Sequence, residues 1–339
     1  MMRLPGVGLV SAAATVLVPA IAAAAMQSAL DPAGQQAARI DWLWWLIFGV
    51  CTAVYILVMG GLAAALWRRH RPEDAPPTEP GRERRIGGVV ASCVGVTVAI
   101  LLVFLVASYS VDSALFAAPD SPSVQIEVTG HQWWWEIRYQ DPVPSRIFTT
   151  ANEIHLPVGE PVRLTLRSPD VIHSFWVPNL AGKRDLIPGQ INYIWITAER
   201  PGTYRGQCAE FCGLQHAHMA LYVTVEDRPA FEHWQERQRQ PAPSPSTPEA
   251  QRGLEVFLSG PCVMCHTILG TTAGATTGPD LTHVASRPSI AAGRLPNTRG
   301  HRAGWIADPQ TQKPGNKMPL VPLPPEDFRA LLAYLDTLE

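Results

Sequence analysis

The segment Cys208-Ala209-Glu210-Phe211-Cys212-Gly213-Leu214-Gln215-His216-Ala217-His218-Met219 gathers two thiols, imidazole and a thioether into one short loop, with His173 upstream. Two soft thiolates four positions apart, with imidazole and thioether, form the donor set that selects copper in electron-transfer sites. A disulfide between Cys208 and Cys212, or a mononuclear zinc site, would use the same residues. Met219 speaks against zinc, which has little use for a thioether, and two thiolates exceed what a blue-copper site takes. The pair is also able to bridge two copper ions.

Working outward, residues 120–228 read as β-structure. Val124, Ile126 and Val128 alternate with polar neighbours, as do Val162, Leu164 and Leu166, then Ile191, Tyr193 and Trp195, then Leu221, Val223 and Val225. Turn residues such as Pro157-Val158-Gly159, Pro188-Gly189 and Pro201-Gly202 punctuate the runs. Short strands with such turns predict a sandwich or Greek-key barrel. Nine basic and fourteen acidic residues between 110 and 235 leave this region at −5.

A proline-rich linker over 236–248 leads to a smaller unit, 249–339. Thr247-Pro248 starts a helix, and Phe328, Leu331, Leu332, Leu335 and Leu338 have the spacing of an amphipathic one, so a compact α-domain is expected. Within it stands Cys262-Val263-Met264-Cys265-His266. Two thiols three apart can add to the vinyl groups of a haem while the adjacent His supplies the proximal iron ligand. A zinc half-site would want a second ligand pair, and a disulfide leaves His266 unexplained. Met318, 52 residues beyond His266, is the candidate sixth ligand, with His283 and His301 as competitors and Met264 too close. A His/Met pair leaves no open position on the iron, which suits electron transfer rather than catalysis.

The N-terminal third is apolar. Of 339 residues 47% are hydrophobic and 17% charged, against ~25% charged in an ordinary soluble domain. Disorder is excluded for most of the chain, and a net charge of −2 leaves no nucleic-acid footprint. Residues 1–25 carry Arg3, an apolar stretch from Val7 to Val18 and the small run Ala22–Ala25, the shape of a secretory signal peptide, a third membrane helix being the alternative. Residues 42–67 and 86–111 each run 26 residues without a charge, beyond the ~20 that a spanning helix needs. Trp42, Trp44, Trp45 and Trp67 suit interfacial anchors, and Cys51 and Cys93 read as packing residues. Arg68, Arg69, Arg71, Arg82, Arg84 and Arg85 mark the intervening loop as cytoplasmic, so everything after 111 lies on the exported side. Residues 26–111 therefore read as an N-terminal segment and transmembrane hairpin.

The loop Cys208–Met219 resembles the binuclear CuA loop of cytochrome c oxidase subunit II. Gly130-His-Gln-Trp-Trp-Trp135, Asp170-Val-Ile-His173 and Lys183-Arg-Asp-Leu-Ile-Pro-Gly189 match further signatures of that family in the same order, and the resemblance spans 30–228. It implies a cupredoxin-like barrel over 112–235 in which Cys208 and Cys212 bridge two coppers. His173 and Met219 complete one metal's shell, and His216 with the Glu210 carbonyl the other. It further implies a magnesium ion near the Glu210 carboxylate at the interface with subunit I, and Trp133 as the residue through which electrons enter. Ordinary packing accounts for one or two of Trp133–Trp135. The C-terminal unit resembles a class I cytochrome c. Gly278-Pro279-Asp280-Leu281 matches the loop over the proximal His, and Pro314–Pro319 the loop of the axial Met318. The fusion is similar to subunit II of caa-type haem-copper oxidases. Gln190 stands where the family often has Arg, and Met26 where some relatives carry a lipid-modified Cys.

The expected architecture is thus a multidomain membrane protein: a two-helix transmembrane hairpin, an all-β cupredoxin-like Greek-key barrel and an all-α cytochrome c domain. The expected function is to pass electrons from an external cytochrome c through haem c and copper A to subunit I, with subunit III as a further partner and the bacterial plasma membrane as location. The alternatives are the input subunit of a CuA-type nitric oxide reductase and a non-catalytic copper or redox membrane protein. The linker suggests a tethered haem domain at an effective concentration of about a millimolar, although its eight basic and eight acidic residues offer the acidic copper domain little overall complement.

Overall fold

The computed structural model describes residues 26–68, 80–117 and 121–339. The signal peptide expected over 1–25, with Arg69 and Arg71, lies outside the described residues. Two compact units form, one of residues 38–117 and the other of the described residues up to Ala37 and from 121 onward.

The first unit is helical. Helix α1, Gln35–Trp67, and helix α2, Pro80–Leu115, each extend beyond the charge-free stretches 42–67 and 86–111. Helix does not need an apolar sequence, so the polar flanks continue it. Both are long and apolar enough to cross a membrane. Leu57, Val106 and most other large apolar side chains on them are exposed, as lipid-facing residues are. Cys51 and Cys93 are exposed too, rather than packed. The hydroxyls of Thr97 and Ser110 donate to the carbonyls of Cys93 and Val106 four residues back, so these polar groups are satisfied within the helix.

The second unit begins with a two-sheet sandwich. The strands are β1 Val124–His131, β2 Trp134–Gln140, β3 Phe148–Ala151, β4 Glu153–Pro157, β5 Pro161–Arg167, β6 His173–Trp176, β7 Arg184–Leu186, β8 Asn192–Thr197, β9 Gly202–Cys208 and β10 Ala220–Glu226. One sheet has the order β3-β2-β1-β5-β8 and the other β4-β10-β9-β6-β7. The pairs β1–β5 and β4–β10 are parallel, so chain-distant strands lie side by side within each sheet. The alternating apolar sides of β1, β5 and β10 fill the core as expected. Strand β8 runs in the opposite phase. Ile194 and Ile196 are buried, while Ile191 and Tyr193 face outward, Tyr193 beneath the Arg163 guanidinium. The run Ile-Asn-Tyr-Ile-Trp-Ile is apolar on both faces, so its pattern does not choose a side. Packing does, and the buried Asn192 amide donates to the Asp185 carbonyl at 2.8 Å.

Two segments adjoin the sandwich more closely than expected. Residues 26–37, grouped with the hairpin by sequence, pack on it: Ser28 and Ala33 amides donate to Asn179, and Ala33 enters the core. Gly34 lies so near the Leu180 carbonyl that a Cβ would stand 2.5 Å from it. Helix α3, Arg228–Arg239, capped by Asp227, continues four residues into the expected linker. It buries Phe231 and Trp234, and Trp234 stacks on His155.

The C-terminal α-domain is built from α4 Pro248–Ser259, α5 Arg299–Ala307, α6 Pro309–Gln312 and α7 Pro325–Leu335, with the short hairpin β11 Ser289–Ile290 and β12 Leu295–Pro296. Helices α4 and α7 cross at Gly253, and Phe257, Ile268, Leu331, Tyr334, Leu335 and Leu338 form the core.

Candidate metal and haem centres

At the end of the sandwich, β6 begins with His173, β9 finishes with Cys208, and the loop to β10 brings the remaining donors back. The Cys208 and Cys212 sulfurs are 3.8 Å apart, nearly twice the ~2.05 Å of a disulfide bond. His173 Nδ1 is 3.9 Å from Cys208 Sγ, and the Glu210 carbonyl 3.2 Å from it. His216 Nδ1 is 3.7 Å from Cys212 Sγ and Met219 Sδ 3.9 Å from it. Six donor atoms thus converge, with His173, both cysteines and Met219 buried. The residues fit a copper pair by chemistry: thiolate, thioether and imidazole are soft and borderline donors. In the thiol state the hydrogen bond between the sulfurs, with help from His173, pulls the Cys208 pKa well down, and that thiolate in turn pushes the Cys212 pKa up. His218 points elsewhere, its ring bonded to Gln215.

Asp170 fixes the nearest imidazole. Its Oδ1 accepts from His173 Nε2 at 2.9 Å, leaving the Nδ1 lone pair toward the sulfurs, and its Oδ2 accepts from the Gln132 amide at 2.7 Å. Burial works against ionisation of Asp170, but these hydrogen bonds outweigh it and hold the carboxyl below its ordinary pKa. Asn in its place would turn an NH2 group toward one of two donors. Asp170→Asn is therefore expected to lower copper affinity by about 10- to 100-fold, read by competition with a copper chelator. Unchanged affinity would show that the carboxylate does not orient His173.

The second centre lies in the α-domain. Cys262, Cys265, His266 and Met318 line one cavity together with the apolar Ile306 and Trp305. His266 Nδ1 donates to the Pro279 carbonyl at 2.7 Å, so Nε2 is left free. Gly278 packs against the ring so closely that a Cβ would be 2.8 Å from it. Burial pushes the His266 pKa down, favouring the neutral imidazole that a metal binds. Met318 is presented by a loop that Gln310 clamps: its amide donates to the carbonyls of Asn316 and Met318, and its oxygen accepts from Gly315, whose φ is +81°. His283 and His301 do not line the cavity. Both His283 ring nitrogens contact backbone oxygens, and His301 contacts Thr298.

The same cavity is bounded by Gln132, Trp133 and Asn152 of the sandwich. The Trp133 indole and the Gln132 amide both donate to the Cys212 carbonyl, at 3.0 and 2.8 Å. Trp133 is consequently buried between the copper loop and the haem-domain loop at Gly315. Trp135 is a core residue against Phe175, and Trp134 stacks on His131.

The chain matches the family model for the cytochrome c oxidase subunit II periplasmic domain over 141–226, and that for cytochrome c over 250–339. It is 35% identical over 323 residues to cytochrome c oxidase subunit 2 of Alkalihalophilus pseudofirmus, covering 92% of this chain and 91% of the relative. The chain belongs to the cytochrome c oxidase subunit 2 family. A second relative, subunit 2 of Bacillus sp. strain PS3, is 32% identical over 65% of this chain and 64% of its own length. The periplasmic domain of subunit II of Bradyrhizobium japonicum cytochrome oxidase is 31% identical, with a TM-score of 0.34, over 36% of this chain and 97% of that one.

As a subunit 2, the chain is the electron-input part of a terminal oxidase, membrane-anchored and carrying a periplasmic domain. Its two domains imply a CuA copper centre and a haem c, and His173, Cys208 and Cys212 are placed to hold a metal. Asp170 and Gln132 both stand inside sequence motifs, but their spacing alone carries no sign of a supporting role. Lys313 carried no signal at all.

Proposed function

We propose that this chain accepts electrons from an external cytochrome c and passes them, through haem c and a binuclear copper A centre, to the haem-copper site of subunit I, where oxygen is reduced to water with proton pumping. The observation that carries the reading is the pair of sulfurs 3.8 Å apart among imidazole, thioether and carbonyl donors. In this assignment Cys208 and Cys212 would hold the copper pair together with His173, Met219, His216 and the Glu210 carbonyl. Cys262 and Cys265 would hold the haem covalently, and His266 and Met318 would ligate its iron. Bound, each centre takes up and releases one electron at a time.

The remaining work belongs to the chain itself. Asp170 and the Pro279 carbonyl orient the two histidines, a rigid support that keeps rearrangement small between redox states. Trp133 fills the space between the haem cavity and the Cys212 carbonyl and is the residue through which electrons enter the copper domain. The Glu210 carboxylate, exposed and 3.6 Å from Lys183 Nζ, is the group assigned to a magnesium ion at the subunit I interface. Helices α1 and α2 hold the chain in the bacterial plasma membrane beside subunits I and III, with the copper and haem domains on the outer side.

The detergent-purified native complex, given reduced cytochrome c and then oxygen or nitric oxide in turn, tests this reading. Rapid oxygen consumption is expected. Nitric oxide consumption without oxygen turnover would place the complex among the reductases, and no turnover of either would leave an electron carrier.

A further inference from the structure

The cationic side chains at the junction of the two domains all come from the haem domain and meet oxygens of the copper domain. On the haem side stand Lys313, Arg287 and Lys317. On the copper side stand the Trp133 carbonyl, Glu153 and Asp170, at 2.6 Å from Lys313 Nζ, 3.6 Å from Arg287 Nε and 3.7 Å from Lys317 Nζ. Arg287 and Glu153 are both buried. The near-neutral total of the haem domain conceals this local match to an acidic partner.

Lys313 is the least expected of the three. It is 2% exposed, and Nζ also donates to Ala291 O at 3.2 Å within its own domain. Ala291 and Ala292 both have positive φ, +53° and +58°, a conformation that non-glycine residues hold only when their surroundings enforce it. This turn also meets the copper domain: the Ala220 amide donates to Ala292 O at 2.9 Å, and a Cβ on Gly293 would stand 2.9 Å from the Ala220 side chain. One amino group therefore ties the carbonyl beside the Trp133 side chain to a strained turn of the other domain.

We infer that Lys313 is a positioning residue, the latch that holds the haem domain in the single pose placing Trp133 between the haem cavity and the Cys212 carbonyl. An apolar side chain of similar length would fill the same space but leave the buried Trp133 carbonyl and the half-buried Ala291 carbonyl without this donor, and would set no register between the domains. The start of the linker contributes by lying on the haem domain, the Ala242 amide donating to Leu269 O at 2.9 Å and Gly270 closing on Pro241. The domain is thus docked rather than swinging on a tether. This inference rests on the proposed function only for its consequence, the transfer rate; the latch itself is independent of it.

Amine acylation of the native complex, quantified by mass spectrometry, tests the latch without any variant. Lys317, more than half exposed in its side chain, serves as the reference. Lys313 is expected to react at least about tenfold more slowly. Burial draws its pKa down to about 7, which leaves more of it as the reactive free amine at neutral pH, so slow labelling reports occlusion rather than protonation. Equal labelling of Lys313 and Lys317 overturns the inference. Lys313→Met should raise hydrogen exchange over 289–294 and 131–135 while α4 stays as protected as in the native chain, and should slow haem-to-copper transfer at least about tenfold. Lys313→Arg, which keeps a donor, should recover part of both. Native-like exchange in Lys313→Met overturns the latch, whereas a complex that lacks copper or haem, with Lys313 still protected, overturns the proposed function and leaves the latch standing.

Discussion

Cys212→Ser is expected to cut cytochrome c-driven oxygen consumption of the complex by at least about a hundredfold, more than the loss typical of a merely supporting residue. Cys212 Sγ is the common neighbour of Cys208 Sγ, His216 Nδ1 and Met219 Sδ. A serine hydroxyl is a hard, weakly acidic donor of similar size, so the loop keeps its shape while losing a soft donor of the kind that copper prefers. The copper content should fall below two per chain, measured by elemental analysis, while covalent haem c and its reduction by external cytochrome c remain at native levels. The Cys212 carbonyl, which Trp133 and Gln132 address, is retained. Native copper content with native turnover would remove Cys212 from the electron path.

Gly253→Ala is expected to lower the melting temperature of the haem domain by about 10 °C. A Cβ at this position would lie 1.9 Å from the Ala330 carbonyl oxygen and 2.7 Å from the Tyr334 Cβ. The obstructing atoms include helix backbone, which cannot turn aside, so α4 and α7 must separate along the seam that buries Phe257 and Leu331. Overpacking of this kind costs about 3 kcal/mol. Alanine recovers about 1 kcal/mol through its better helix propensity, and the remaining ~2 kcal/mol corresponds to the stated shift for a domain of this size. Thermal unfolding followed at the haem checks it, with copper content as the control for the sandwich. A melting temperature within about 3 °C of the native value would mean that the crossing relaxes almost freely.

The residues that carry chemistry were legible because their spacing is local. Cys262–His266 sits in one turn, and Cys208–Met219 in one loop, so donor type and interval sufficed to raise a haem and a copper site. The apolar spans, the strands with one-sided alternation and the helix at the C-terminus were legible for the same reason. Strand β8 was not. With apolar residues on both faces, its inward side was decided by what it packed against.

What only the tertiary structure decided is how distant segments meet. Asp170 orients His173 because the Gln132 amide and the β6 start converge on one carboxylate. Trp135 lies in the core because β2 alternates, and Trp133, just before β2, lies between two centres because the haem domain covers that end of the sandwich. Lys313 is buried against Trp133, 180 positions away in sequence. By itself the sequence determined which ligands this protein offers and which segments suit a membrane, since composition and short intervals encode both. The contacts that hold those ligands and domains in register are non-local, and no interval along the chain expresses them.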